Sequence, residues 1–350
     1  MKTVRLGVVG AGLVGRRHID VIAACPELEL AGIVEPGAAG VQIAEQNGCI
    51  LHESIESMLA EDKPDGVIIA TPNTLHVEQA LQCIDQNIAV LVEKPIAASS
   101  RDAEKLVLEA DQANVPLLVG HHRRYNPLIQ RAKEIIASGG IGDVRAVQGT
   151  CWFYKPDHYF EAAPWRKEIG AGPISVNLVH DVDLIRHLVG EVVSVHAHAA
   201  PSARGFANED VAAAVLQFDN GAIGTVSISD SIAAPWSWEH TSNEYPIYPS
   251  TPENCYLIGG SDGSLSIPDL RLWRHENGSQ DWWTPISAAS QICGRSDPLI
   301  NQLLHFAKVI NGQEKPLVSG TEGLNTLRVI EAIQHSAASG NTEVLTAHSM

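Results

Sequence analysis

The sequence predicts two domains: an α/β domain with a doubly wound parallel sheet, then an α+β domain built on an open antiparallel sheet. In the first third, short apolar strands alternate with helical segments, the pattern of a parallel sheet covered on both faces. Further along, strands of alternating polarity are joined by tight turns, which is typical of antiparallel pairing. We place residues 1–122 in the first domain and residues 123–350 in the second.

The composition is that of an ordinary globular protein, with 45% hydrophobic and 19% charged residues. A formal net charge of -17 argues against nucleic acid and anionic membranes as partners. No stretch approaches the ~20 apolar residues that span a bilayer. The six cysteines are scattered, without the spacing of a disulfide framework or a metal site. We therefore expect a cytoplasmic protein without a bound metal.

A glycine-rich turn lies between the first predicted strand and the first predicted helix. It reads Gly10-Ala11-Gly12-Leu13-Val14-Gly15, the GxGxxG pattern in its strand–turn–helix context. Gly10 would make the tight turn, Gly12 would let a pyrophosphate approach the backbone, and Gly15 would let helix and strand pack closely. Leu13 and Val14 begin the helix whose N-terminus receives the phosphates. The alternative is a glycine turn that binds no ligand.

The second predicted strand, Leu28 to Val34, ends in an acidic residue, Glu35. A carboxylate at this point accepts hydrogen bonds from the adenosine ribose and repels a 2′-phosphate. No arginine occurs from Pro36 to Gly48 to bind that phosphate. The sequence therefore favours NAD over NADP as the cofactor of a Rossmann domain.

Polar residues follow two further buried strands of the predicted sheet. Thr71-Pro72-Asn73 and His76 come after one strand, and Glu93-Lys94-Pro95 comes after the next. The carboxyl ends of parallel strands meet at one edge, which is where such sheets bind ligands. We therefore expect six residues at the cofactor site: Thr71, Pro72, Asn73, His76, Glu93 and Lys94. The alternative for His76 is an ordinary histidine on a helix surface.

In the second domain, hairpin signals join Val211–Phe218 to Ala222–Ser229 and Tyr256–Ile258 to Ser264–Ile267. Helices over 174–189 and 299–310 are expected to cover one face of the sheet. The other face is either solvated or packed on a second subunit, and we expect a homodimer or homotetramer formed through it. Residues 231–256 and 281–297 are predicted to be long loops.

One predicted helix of the second domain carries Asn177, His180 and Asp181. Helical spacing puts Asn177 and His180 on one face. A neutral imidazole is a suitable general base for an alcohol proton. The alternative is a packed core histidine, and only a nicotinamide site with Lys94 nearby favours catalysis.

Together, these motifs resemble the glucose–fructose oxidoreductase/inositol dehydrogenase family. The resemblance covers essentially the whole chain, and its motifs are specific only in combination. The matching segments are Gly10–Gly15, Thr71–His76, Glu93–Pro95, Gly120–Pro127, Trp165–Arg166, Gly172–Asp183 and Gly323–Ala332.

The resemblance implies hydride transfer between nicotinamide C4 and a secondary alcohol of a sugar, cyclitol or related cyclic polyol. Lys94 would hydrogen-bond the reacting oxygen, and His180 would take its proton. Reduction of an oxidised sugar or a dihydrodiol-type ring by the same residues is a second possibility. The Lys-Pro peptide is often cis in related sequences. The residues expected at the substrate are Arg123, Tyr125, Trp165, Arg166 and Asn177.

One position departs from the family pattern, because Val176 stands where many members carry an aspartate four residues before the histidine. Asn177 can orient a substrate hydroxyl, but it cannot hold an imidazolium electrostatically. We therefore expect substrate chemistry unlike that of inositol dehydrogenases with the aspartate. The non-enzymatic alternative is a sensor that binds NAD and sugar and regulates a partner. Lys94 and His180 argue against it, since a sensor needs neither.

Overall fold

The computed structural model describes residues 3–276 and 280–345. The strands are β1 (Val4–Val9), β2 (Leu28–Val34), β3 (Ile50–His52), β4 (Gly66–Ile69), β5 (Ala89–Val92), β6 (Leu117–Val119), β7 (Val144–Trp152), β8 (Val192–Pro201), β9 (Glu209–Phe218), β10 (Ile223–Ser229), β11 (Tyr256–Gly260), β12 (Ser264–Ile267), β13 (Arg271–His275), β14 (Ile286–Ser290) and β15 (Glu343–Val344). The α-helices are α1 (Leu13–Ala24), α2 (Ala38–Asn47), α3 (Ile55–Glu61), α4 (His76–Ile84), α5 (Ser100–Ala113), α6 (Pro127–Ala137), α7 (Asp157–Glu161), α8 (Val179–Val189), α9 (Trp238–Thr241), α10 (Pro298–Ile310) and α11 (Gly320–Ser339).

The chain divides into two compact units. The first comprises Met1–Tyr125 and Ser296–Leu327, and the second comprises Asn126–Arg295 and Arg328–Met350. This division differs from the predicted boundary in one main respect. Residues 296–327, which the prediction assigned to the second domain, pack within the first unit.

The first unit is built on a six-stranded parallel sheet in the order β3-β2-β1-β4-β5-β6. Strands β4 and β5 are short apolar runs that are buried throughout, as expected when helices cover both faces. The doubly wound parallel sheet is therefore confirmed. The strand order reverses between β1 and β4, and ligands of such sheets bind outside the carboxyl ends at this switch point.

Helix α10 packs on the first unit and not on the second sheet, so the predicted position of the helix over 299–310 was wrong. Asp297 caps the helix by accepting a hydrogen bond from the backbone N–H of Leu299 at 2.8 Å. Leu303 and Phe306 are fully buried in a cluster that contains Leu6 of β1. Amphipathic periodicity shows that a helix has an apolar face, but it does not say which sheet that face covers.

The second unit is built on a nine-stranded sheet in the order β14-β13-β12-β11-β7-β10-β9-β8-β15. Its neighbouring strands are antiparallel except for β10 and β7, which run parallel. Both predicted hairpins are present, as β9–β10 and β11–β12. The predicted open antiparallel sheet is thus confirmed, except that it contains one parallel pair of strands. No local sequence pattern predicts that pair.

One face of this sheet is covered by α6, α8 and the second half of α11, and their apolar side chains form one core with the inward residues of the strands. The other face carries apolar side chains that are about half exposed, namely Val215 (48%), Ile223 (55%) and Leu257 (51%). The two segments predicted to be loops contain α9 and β14, so that prediction was wrong in part.

Candidate active site

The glycine turn of the first unit joins β1 to α1 and has the backbone that its sequence predicts. Gly10 has a φ of +86°, a conformation that side chains rarely tolerate. A Cβ on Gly15 would lie 1.9 Å from the carbonyl oxygen of Gly10, so helix and turn meet where only hydrogen fits. A Cβ on Gly12 would meet no atom within 4 Å. The turn is therefore tight on its inner side and open above Gly12.

The open side of the turn fits the pyrophosphate of a dinucleotide. Helix α1 has no side-chain cap and no acidic residue in its first turn, so its first N–H groups and positive dipole end are available to an anion. Leu13 and Val14 are exposed, at 83% and 42%, although both are apolar. The carboxylate of Glu35 accepts a hydrogen bond of 2.5 Å from the backbone N–H of Ala11. The acid at the end of β2 thus lies beside the glycine turn, where a ribose would lie.

The residues after β4 form a second part of the predicted cofactor site in the same unit. Pro72 and Asn73 are exposed, while Thr71 is half-buried and donates a hydrogen bond to Gln79. His76 is only 1% exposed, and its ring nitrogens lie 2.9 Å from the carbonyl oxygens of Pro95 and Thr71. His76 is therefore not a surface histidine, and its place at the cofactor site stays a prediction. Burial lowers the pKa of His76, although the two carbonyls and Glu93 act to raise it.

Glu93 and Lys94 follow β5 on the same edge. The Lys94–Pro95 peptide is cis. Glu93 is 8% exposed, and its carboxylate lies 2.7 Å from Nε2 of His18. Burial acts to raise the pKa of Glu93, but the hydrogen bond from His18 and the charges of His18, His122 and Lys94 hold it below its ordinary value. Lys94 itself is half-buried.

Arg123 and Tyr125, both predicted at the substrate, lie in the short 3₁₀ turn after β6. Both are buried, at 5% and 2% exposure. The ring of Tyr125 belongs to a hydrophobic core of the first unit, and its centroid lies 5.3 Å from that of His305. Tyr125 is thus packed as a core aromatic, and contact of Arg123 and Tyr125 with the substrate stays a prediction.

In the second unit, His180 lies near the start of α8 and is 8% exposed. The five residues before α8, Ile174–Leu178, form a π-helical turn, and π-turns within helices are frequent at functional sites. The shared face of Asn177 and His180 stays a prediction. The side-chain oxygen of Asn177 is buried and has no hydrogen-bond partner among the described residues.

Trp165 and Arg166 lie in a short 3₁₀ turn of the second unit. Trp165 is 57% exposed. The guanidinium carbon of Arg166 lies 3.9 Å from the centroid of the Tyr159 ring, and its Nη1 donates to the Tyr159 carbonyl at 2.6 Å. Among the described residues, Arg166 forms no ion pair, so its charge is available to a ligand.

A buried charge cluster lies near this turn and was not predicted. Arg204 donates to Asp230 at 2.7 Å, and Nζ of Lys155 lies 3.7 Å from the same carboxylate. Burial lowers the pKa of Lys155 and raises the pKa of Asp230, against their mutual attraction. His18 was also missed. The available signal was a histidine among the apolar residues of α1, but no sequence pattern pointed to Glu93 as its partner.

Within residues 3–276 and 280–345, no group of three or more histidine, cysteine, aspartate or glutamate side chains could hold a metal ion. In the same part of the chain, no helix combines the length and apolar character needed to cross a membrane.

Two family models match the chain. The model described as the oxidoreductase family with an NAD-binding Rossmann fold matches residues 4–121, and the GFO/IDH/MocA C-terminal domain matches residues 129–266. The chain therefore belongs to the GFO/IDH/MocA oxidoreductase family. It is an NAD-dependent oxidoreductase, and the glycine turn with Glu35 fits that cofactor.

Particular relatives differ in what they do. The 1,5-anhydro-D-fructose reductase of Ensifer adhaerens is 26% identical over 347 residues, which cover 96% of this chain and 97% of the relative. The 2,7-anhydro-N-acetylneuraminate hydratase of Escherichia coli is 27% identical over 272 residues, covering 75% of this chain and 67% of the relative. The WlbA dehydrogenase of Bordetella pertussis, solved with NADH and UDP-GlcNAcA, matches with a TM-score of 0.78 and 27% identity over 99% of each chain.

Proposed function

We propose that the protein oxidises or reduces a secondary alcohol of a sugar, cyclitol or related cyclic polyol, with NAD as cofactor. The observation that carries the proposal is the position of Lys94. It follows β5 at the sheet edge that also holds the open glycine turn and Glu35. The similarity to an anhydrofructose reductase and to a dehydrogenase solved with a nucleotide sugar supports the substrate class.

The proposed roles follow from the chemistry of each side chain. Bound NAD supplies the hydride acceptor. The ammonium group of Lys94 donates a hydrogen bond to the reacting oxygen and stabilises its developing negative charge. His180 accepts the hydroxyl proton through its imidazole.

Three residues of the second unit are proposed to bind the substrate. The buried oxygen of Asn177 accepts a hydrogen bond from a substrate hydroxyl. Trp165 offers an exposed ring on which a sugar face stacks. Arg166 offers donors to a substrate oxygen or anionic group.

The test is NAD reduction across a panel of myo-inositol, scyllo-inositol, D-glucose, D-xylose and 1,5-anhydro-D-glucitol. Lys94→Ala and His180→Ala are expected to lower kcat by about 10²–10⁴-fold, the contribution of a positioned acid or base. Lys105→Ala is the matched control, since Lys105 is a surface lysine of α5 with a 61% exposed side chain. Equal turnover by all four proteins would sink the assigned roles. Tight NAD binding without turnover of any polyol would favour a sensor.

A second candidate function is redox-neutral and is favoured by the similarity to a hydratase. Net addition of water to an anhydro sugar opens its bridging C–O bond and leaves the NAD pool unchanged, so with such a substrate absorbance at 340 nm would stay flat. Product analysis by mass spectrometry would then show a gain of one water.

The uncovered face of the second unit's sheet is proposed to pack on a second copy of this chain. Its half-exposed valine, isoleucine and leucine side chains are apolar surface of the kind that subunit interfaces bury. We also propose a cytoplasmic location, consistent with the six free thiols of the structure.

A further inference from the structure

Two buried histidines of the first unit lie on either side of the Glu93-Lys94-Pro95 segment. His18 belongs to α1 and is 0% exposed, and His76 begins α4 and is 1% exposed. Both do more than fill space, because Nε2 of His18 meets the Glu93 carboxylate and Nδ1 of His76 meets the Pro95 carbonyl oxygen.

His18 acts on the residue before Lys94. Its Nε2 lies 2.7 Å from one carboxylate oxygen of Glu93, and the other oxygen accepts the backbone N–H of Lys94 at 3.2 Å. Gly120 leaves room for this carboxylate, since a Cβ there would lie 2.8 Å from it. Nδ1 of His18 has no partner among the described residues, so the ring bonds the Glu93 carboxylate through Nε2 alone.

His76 acts on the residue after Lys94. Its Nδ1 lies 2.9 Å from the carbonyl oxygen of Pro95, and its Nε2 lies 2.9 Å from that of Thr71. A neutral ring donates to one of these carbonyls at a time, whereas an imidazolium donates to both. The ring thus links the turn after β5 to the turn after β4.

We propose that His18 and His76 are positioning residues that hold Lys94 in place from both sides, one through the Glu93 side chain and the other through the Pro95 carbonyl. The inference rests on the proposed function for its catalytic meaning. His18 connects Lys94 to the helix that begins at the glycine turn, and His76 connects it to Thr71. These contacts thereby fix Lys94 relative to the glycine turn and to the turn after β4, the two other parts of the proposed NAD site.

Isosteric variants test the proposal. The amide nitrogen of glutamine replaces Nε2 of histidine, and that of asparagine replaces Nδ1. His18→Gln and His76→Asn therefore keep the donor on the Lys94 side, whereas His18→Asn and His76→Gln lose it. We expect the first two variants to retain kcat within about threefold and the last two to lose at least tenfold, with little change in KM for the polyol.

A second measurement does not depend on turnover. Hydrogen exchange over residues 93–96 reports the amides of Glu93, Lys94 and Ile96, since Pro95 has none. We expect faster exchange in His18→Asn than in His18→Gln. If either fails to fold, Glu93→Gln tests the same link, because its single amide oxygen cannot accept from both His18 and the Lys94 N–H.

The outcomes separate the two proposals. If asparagine and glutamine have equal effects at both positions, in kcat and in exchange, the histidines only fill space and the inference is overturned. If the wild type turns over no polyol but exchange still differs within the His18 pair, the positioning role stands and the proposed function fails. Urea midpoints of the variants control for general loss of stability.

Discussion

Replacing the glycines of the turn by alanine separates cofactor binding from folding. In Gly12→Ala, the new Cβ meets no protein atom within 4 Å, and the backbone at φ -68° and ψ -161° suits alanine. Stability should therefore change by less than about 0.5 kcal/mol. The methyl group instead occupies space that a pyrophosphate needs, so we expect Kd for NAD to rise at least tenfold, which is about 1.4 kcal/mol.

In Gly15→Ala, the Cβ would lie 1.9 Å from the carbonyl oxygen of Gly10, so backbone must move by about 1.5 Å to reach an ordinary contact. Overpacking of this kind costs about 1–3 kcal/mol, and a rigid backbone partner favours the upper end. Alanine regains about 1 kcal/mol of helix propensity. The net loss of about 2 kcal/mol corresponds to about 4–8 °C in Tm.

The assay combines calorimetric titration of NAD with thermal melting of the cofactor-free protein. The two variants should differ in which quantity changes. Gly12→Ala should bind NAD more weakly at an unchanged Tm, and the main effect of Gly15→Ala should be a lower Tm. NAD binding by Gly12→Ala within twofold of the wild type would refute the assignment of the pyrophosphate site. An unchanged Tm of Gly15→Ala would refute the contact argument.

Two further predictions concern acid stability and assembly. Because the pKa of Glu93 is lower in the folded protein than in the unfolded chain, its ionised form stabilises the fold above about pH 4.5, and this contribution is lost as the pH falls through the lowered pKa. The urea midpoint of Glu93→Gln should therefore depend less on pH between about 5 and 3 than that of the wild type; parallel curves would contradict this. For assembly, Val215→Glu should yield monomers by light scattering, while Ile50→Glu, a similarly exposed strand position of the first unit, should leave the oligomer intact. The same mass for both variants would contradict an interface on the sheet.

Much of the first unit could be predicted because its signals are local. A GxGxxG turn between strand and helix, an acid after β2 and apolar runs for β4 and β5 each depend on neighbouring residues. The hairpins β9–β10 and β11–β12 were predictable for the same reason, since tight turns set the pairing of the strands beside them. The parallel pairing of β7 with β10 has no such turn, and it was missed.

The sequence by itself determined that this chain has an NAD-binding parallel sheet with Lys94 at its ligand edge, because glycine chemistry and strand periodicity act over a few residues. Tertiary structure alone decided which sheet α10 covers and that His18 meets Glu93. His18 and Glu93 are 75 positions apart in the sequence. Such a contact depends on how α1 packs beside the end of β5, and the sequence pattern of either element does not predict it.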